Sequence, residues 1–254
     1  MTESAEAEDE WDFYPCRVDD GPASIFLNLA LITRLEQLDE DTLYALRVTM
    51  VDTAEHDMGG DAEAEVMFPA EDEVVEALQA IGVRFIGRLR NNGGWQMTFM
   101  GPAQLEPQVH QLAGAKLASA GREFALVSDH DPEWRYYSSF LYPDNERMRW
   151  IQDRRVVDIL EEHGDPLTMA RRVDHWAYFP DQQARAAFAT AVAAHGFEVD
   201  ELDEAEPSRA HLHRVDSVEL DHIHQVTTLL EQLAEEHGGD YDGWETSVEA
   251  PKPN

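Results

Sequence analysis

Eleven histidines are the first residues to test for chemistry. His211 and His213 stand two apart in a strand-like stretch, so both side chains face the same way, the spacing of a metal-ligand pair. Two ordinary half-exposed strand residues share that spacing, so the pair is only a weak metal candidate. His222 and His224 are two apart on a helical run and diverge. His163, His195 and His237 each end a helical run beside a glycine, where the helix dipole favours a cation and explains them without a ligand. No serine stands in a Gly-x-Ser-x-Gly elbow, there is no P-loop, and no Gly-x-Gly-x-x-Gly follows a strand. Cys16, beside Pro15 in an apolar strand, reads as a small hydrophobe. Asp129-His130-Asp131 could orient a proton or a metal, but with Pro132 after it the stretch reads as a loop. The chain is therefore expected to be non-catalytic, with no cofactor and no firm metal site. An enzyme hidden in the N-terminal half would have to use Cys16, His130 or the acids near them.

Charge is the second guide. The formal net charge is −33, and Lys116 and Lys252 are the only lysines. Such a surface repels nucleic-acid phosphate and anionic membrane and favours a basic partner. Adaptation to high salt would also yield it. From residue 174 onward there are 18 acids and 4 bases, so the last third carries the denser negative charge. The hydrophobic fraction of 43% suits a packed core. No apolar run approaches the roughly 18 residues of a membrane helix. One cysteine and an acidic N-terminus without an apolar signal segment lead to the expectation of a cytoplasmic protein.

The elements that would position these residues come from periodicity. Residues 1–10 read as a disordered acidic arm. Two strands, 11–17 and 24–32, flank the turn signal Asp19-Asp20-Gly21-Pro22. A strand at 42–51, a helix starting at 70 and ending at Gly82, strands at 83–90 and 95–100 around Asn91-Asn92-Gly93-Gly94, a helix at 104–118 and a strand at 122–128 give β-α-β-β-α-β. An aromatic strand is expected at 133–142. A helix at 145–163, within a 145–170 linker, carries Met148, Ile151, Val156, Ile159 and Leu160 as its apolar face. The order then repeats: strand 171–179, helix 182–195, strand 197–202, strand 210–218, helix 220–237 and strand 241–248. In the strand at 171–179, Val173, His175, Ala177 and Phe179 share one face, and Asp174, Trp176 and Tyr178 the other. The fold class is α+β: two ferredoxin-like βαββαβ sandwiches, 11–144 and 171–250, joined by a helix. Each such unit leaves one sheet face to be covered by something.

The string Tyr241-Asp242-Gly243-Trp244-Glu245-Thr246, the strand His175-Trp176-Ala177-Tyr178-Phe179 and the element order resemble the bacterial family of regulators of ribonuclease E activity B, over residues 171–249. The preceding region resembles a bacterial family of unknown function often fused to it, through Trp11-Asp12-Phe13-Tyr14 and Tyr136-Tyr137. The resemblance implies an acidic, non-catalytic protein that binds ribonuclease E through its Arg-rich part and slows RNA turnover. Counter-charge would favour that contact. Asp200, Glu201, Asp203, Glu204 and Glu206, with Tyr241, Asp242 and Trp244, are the expected partner-binding residues. Alternatives are an N-terminal enzyme and an adaptor with a different partner. Oligomeric state is not legible.

Overall fold

The computed structural model describes residues 9–200 and 206–249. Strands β1 (Trp11–Val18) and β2 (Gly21–Asn28) pair antiparallel across Asp19 and Asp20, both at positive φ. Aspartate's short polar side chain makes that region tolerable. Then come β3 (Thr42–Thr49), α1 (Asp61–Gln79), β4 (Arg84–Asn91), β5 (Gly94–Gly101), α2 (Glu106–Ser119) and β6 (Phe124–His130). The β4–β5 turn has Asn92 and Gly93 at positive φ, as the Asn-Gly signal predicts. Strand order is β1-β2-β4-β5-β3-β6, antiparallel throughout. The last four make the ferredoxin-like set, and the β1–β2 hairpin widens it beyond β4.

Both faces of this sheet are covered. Helices α1 and α2 contribute Met67, Val74, Leu78, Val109, Ala113 and Leu117 to a core with Tyr44, Leu46, Trp95 and Phe99. On the other face lie Trp134, Tyr137 and Leu141, all buried. The expected strand at 133–142 is instead a π-helical turn, Tyr136–Leu141. Alternating aromatics suggested a pleat, but the buried positions are three and four residues apart, which is helical spacing. The turn is pinned by Tyr137 Oη donating to the Asn28 carbonyl at 2.7 Å, Tyr14 Oη donating to Leu141 O at 2.7 Å and Trp134 Nε1 donating to Glu40 O at 3.0 Å.

Helix α1 starts nine residues before the expected position and contains Pro69. An interior proline costs a helix about 3 kcal/mol, which is why 70 looked like the start. Glu63 offsets this. Its buried carboxylate accepts from the amides of Val51 and Asp52, both at 3.1 Å, and pairs with Arg122 at 2.9 Å, fixing the first turn.

The second compact unit runs from Asn145 to Asn254. It begins with α3 (Asn145–Glu162), followed by β7 (Arg171–Tyr178), α4 (Gln182–Ala193), β8 (Glu198–Val199), β9 (Arg209–Asp216), α5 (Leu220–Glu236) and β10 (Asp240–Thr246). Strand order is β10-β7-β9-β8, again ferredoxin-like. Helix α3, expected as a linker, belongs to this unit and packs on α5. Its buried face is Arg149, Ile151, Asp153, Val157 and Leu160, while Ile159 is exposed. Strand β8 has only two residues, shorter than the expected 197–202. Residues 173, 175 and 177 of β7 point into the core, and 174, 176 and 178 point away from it. Strand β10 carries a bulge: Tyr241 pairs with Ala177 and Gly243 with Trp176, leaving Asp242 as the extra residue. Tyr241 and Trp244 thus both face inward although three residues apart.

Candidate functional site

The second unit brings its polar residues together in two places, one buried and one open. The buried one ties α3 to β10 and α5. Asp153, 1% exposed, accepts from Trp244 Nε1 at 2.9 Å and Thr227 Oγ1 at 2.6 Å, and lies 3.0 Å from His224 Nδ1. Arg149 donates to Tyr241 O at 2.9 Å and to Glu231 Oε1 at 3.2 Å, with its guanidinium 4.7 Å from the Tyr241 ring centroid. Tyr241 Oη is 2.8 Å from Nδ1 of His175, which is fully buried. Burial pushes the His175 pKa down to about 3 and the Tyr241 hydroxyl well above its ordinary value. Below, Asp165 takes two guanidinium contacts from Arg171, the Nη2 contact at 2.7 Å, and that pairing holds its carboxyl far below the usual range.

Tyr241 and Trp244 were expected at a partner surface. They are 6% and 9% exposed, so their side chains build the unit instead. Aromatic rings with one polar handle are the residues that can fill a core and still hold a buried charge. Arg149 and Asp153 were missed as core residues. The signal was present: 149, 153, 157 and 160 follow one helix face, and the two charges sit in register with two hydrophobes.

The open place is the sheet face turned away from the helices. Asp174 on β7 accepts from Arg172 at 2.6 Å and lies 2.9 Å from His211 Nε2. The hydrogen bond from Arg172, helped by His211, holds its carboxyl below the usual range. His211 Nδ1 faces Asp200 Oδ2 at 2.7 Å, and His213 Nε2 faces Glu198 Oε2 at 3.4 Å. His211 and His213 thus share a face as expected, but both His211 nitrogens are engaged by carboxylates. Among the described residues no group of three or more His, Cys, Asp or Glu is placed to hold a metal ion. Trp176 stacks on His211 with centroids 4.9 Å apart and planes 5° apart, and Tyr178 is 43% exposed.

Of the expected acidic edge, Asp200 lies on this face and Glu206 is exposed and pairs with Arg209. Glu201, Asp203 and Glu204 lie outside the described residues. Asp242 is the exposed bulge residue. A pocket of about 220 Å³ beside it is lined by Arg149, Gln152, Asp153, Val156, Gly243 and Trp244. Cys16 is on β1 and His130 on β6, the opposite edges of the first sheet, so they share no site. Among the described residues no helix is long and apolar enough to cross a membrane.

Two solved structures are similar over most of their length. One is an unknown protein from Galdieria sulphuraria, at 13% identity, covering 82% of this chain and 99% of that one, with a TM-score of 0.23. The other is a microcompartments protein from Desulfitobacterium hafniense DCB, at 10% identity, 84% and 96% coverage and a TM-score of 0.23. Likenesses this weak carry no argument about fold or function. Comparison with curated proteins finds no match. Family profiles are decisive: one for a family of unknown function (DUF695) matches residues 9–142, and one for regulator of ribonuclease activity B matches residues 150–246, the latter taking in α3 from Trp150 onward and the network around Asp153. The chain belongs to the family of unknown function, DUF695, over more than half its length, and carries a regulator of ribonuclease activity B domain behind it.

Proposed function

We propose that the protein is a non-catalytic, protein-binding regulator that acts in the cytoplasm, binds ribonuclease E through a basic, Arg-rich segment and slows RNA turnover. The observation that carries this is the family match over 150–246, which assigns the second unit to a regulatory domain. Two features support it. The unit has an uncovered sheet face bearing Glu198, Asp200 and Asp174, and the net charge of −33 opposes direct contact with RNA. Electrostatic attraction would speed and orient capture of a cationic segment. The N-terminal unit would then modulate or localise the second.

The test uses the full chain as bait in a bacterial lysate at low and high salt, with a ribonuclease E cleavage assay beside it. Recovery at low salt, loss at high salt and slowed cleavage are expected, because exposed charge contacts weaken as the Debye length falls from about 10 Å at 0.1 M to about 3 Å at 1 M. A folded chain that neither recovers the nuclease nor slows it would overturn the reading.

A further inference from the structure

Three arginines of this protein, the buried Arg88 and Arg149 and the half-buried Arg214, are held in the same way. Arg88 lies 4.7, 4.8 and 4.9 Å from the ring centroids of Phe26, Phe68 and Trp95 while Nη1 donates to Glu71 at 2.7 Å. Arg149 stands over Tyr241 and reaches Glu231. Arg214 lies 4.2 Å from the Phe197 centroid and pairs with Asp216 at 2.7 Å. Each guanidinium has an aromatic face and a carboxylate.

The open face of the second sheet offers the same pairing without the guanidinium. The Trp176 ring is covered by His211 on its β9 side. On its β10 side the strand partner is Gly243. A Cβ on Gly243 would meet nothing within 4 Å, so the space there is open. Strand side chains stand roughly perpendicular to the sheet, and a ring stacked on the β9 neighbour turns its second face toward β10. Asp240 and Glu245, both exposed, bracket Gly243 along β10, paired with Tyr178 and Asp174. Among the described residues no guanidinium lies over the Trp176 or Tyr178 ring.

We infer that the slot over Gly243, between the free face of Trp176 and the carboxylates of Asp240 and Glu245, takes an arginine side chain from a partner protein segment. The inference rests on the protein-binding reading above. A planar guanidinium fits a slot bounded by an indole face and can reach carboxylates at its edges, whereas a lysine ammonium gains less from the ring. A nucleobase would bring phosphate against the same carboxylates.

The test titrates the full chain calorimetrically with tetra-arginine and with tetra-lysine, peptides of equal charge, at one salt concentration. The wild-type chain should prefer tetra-arginine by about tenfold. Trp176→Leu should erase that preference, and the double variant Asp240→Asn/Glu245→Gln, which leaves the core untouched, should weaken both peptides. Equal binding of the two peptides by the wild type, or an arginine preference that survives in folded Trp176→Leu, would overturn the slot. If Trp176→Leu does not fold, unchanged tetra-arginine binding by the double variant overturns it. Slowing of ribonuclease E without any arginine preference would remove the slot and leave the regulatory reading standing. An arginine preference without effect on ribonuclease E would do the reverse.

Discussion

The two units share a strand order and differ in what lies on the second face of the sheet. In the first, Trp134, Tyr137 and Leu141 close that face with Leu29 and Leu31, and β4 is buried on both sides. In the second, the corresponding face carries Arg172, Asp174, Trp176 and Tyr178 on β7, opposite His211 and His213 on β9. The same backbone solution therefore serves as a two-sided core in one unit and as a display surface in the other. The helix side sets the fold, and the other side is free to be spent on stability or on contact.

The sharpest way to break this comparison is to remove a tryptophan from each second face. Trp134→Ala should destabilise the first unit by about 3–5 kcal/mol in denaturant unfolding, from lost burial and the lost bond to Glu40 O. Trp176→Ala should cost the second less than about 1 kcal/mol, since its ring is only half-buried. Similar costs for the two would mean that the second face is also a core.

Asp153→Ala should come next, at about 2–4 kcal/mol, because it strands the donors Trp244 Nε1 and Thr227 Oγ1 inside the second unit. A loss confined to that unit's transition sharpens the division at Asn145. A loss in the first unit's transition breaks it.

Acid should then act on the second unit through His175. Its pKa falls from an unfolded 6.5 to about 3 on burial, so between those values the unfolded chain binds a proton that the native chain does not. Stability is fully present above about pH 6.5 and declines toward pH 3 by about 1.4 kcal/mol per pH unit. Asp165 and Asp174, both depressed by their arginine partners, extend the loss below the ordinary carboxylate range. His175→Phe should flatten the profile between pH 6.5 and 4 when urea midpoints are compared. The smallest effect is expected for Asp174→Asn, under about 1 kcal/mol, because the pair with Arg172 is half-exposed and screened.

Much of this was legible in the sequence. The β7 alternation separates Val173, His175 and Ala177 from Asp174, Trp176 and Tyr178 without ambiguity, and Asn92-Gly93 marks its hairpin. Less legible were elements whose local preference loses to tertiary contact. Pro69 hides the first turns of α1, which depend on Glu63 reaching back to Val51 and Arg122, 59 residues apart in the latter case. The aromatic run around Tyr137 favours a strand until Asn28 and Tyr14 supply partners for a helical turn. The site was half legible for a related reason. Acidity drew attention to the second unit, but charged residues on α3 read as surface, and only the fold shows Arg149 and Asp153 beneath Tyr241 and Trp244.

The extra residue at Asp242 has a consequence for length. Side chains on a pleated strand change sides at every step, so Tyr241 and Trp244, an odd number apart, can both face inward only because one residue is out of count. Delete Asp242, and the two aromatics stand two apart, so the regular pleat keeps both inward, with Gly243 and Glu245 still on the open face, and only the local bend of the bulge is lost. The string Tyr-Asp-Gly-Trp-Glu-Thr thus holds one residue more than the pleat requires. The bulge residue is the position whose loss leaves the inward pair in register.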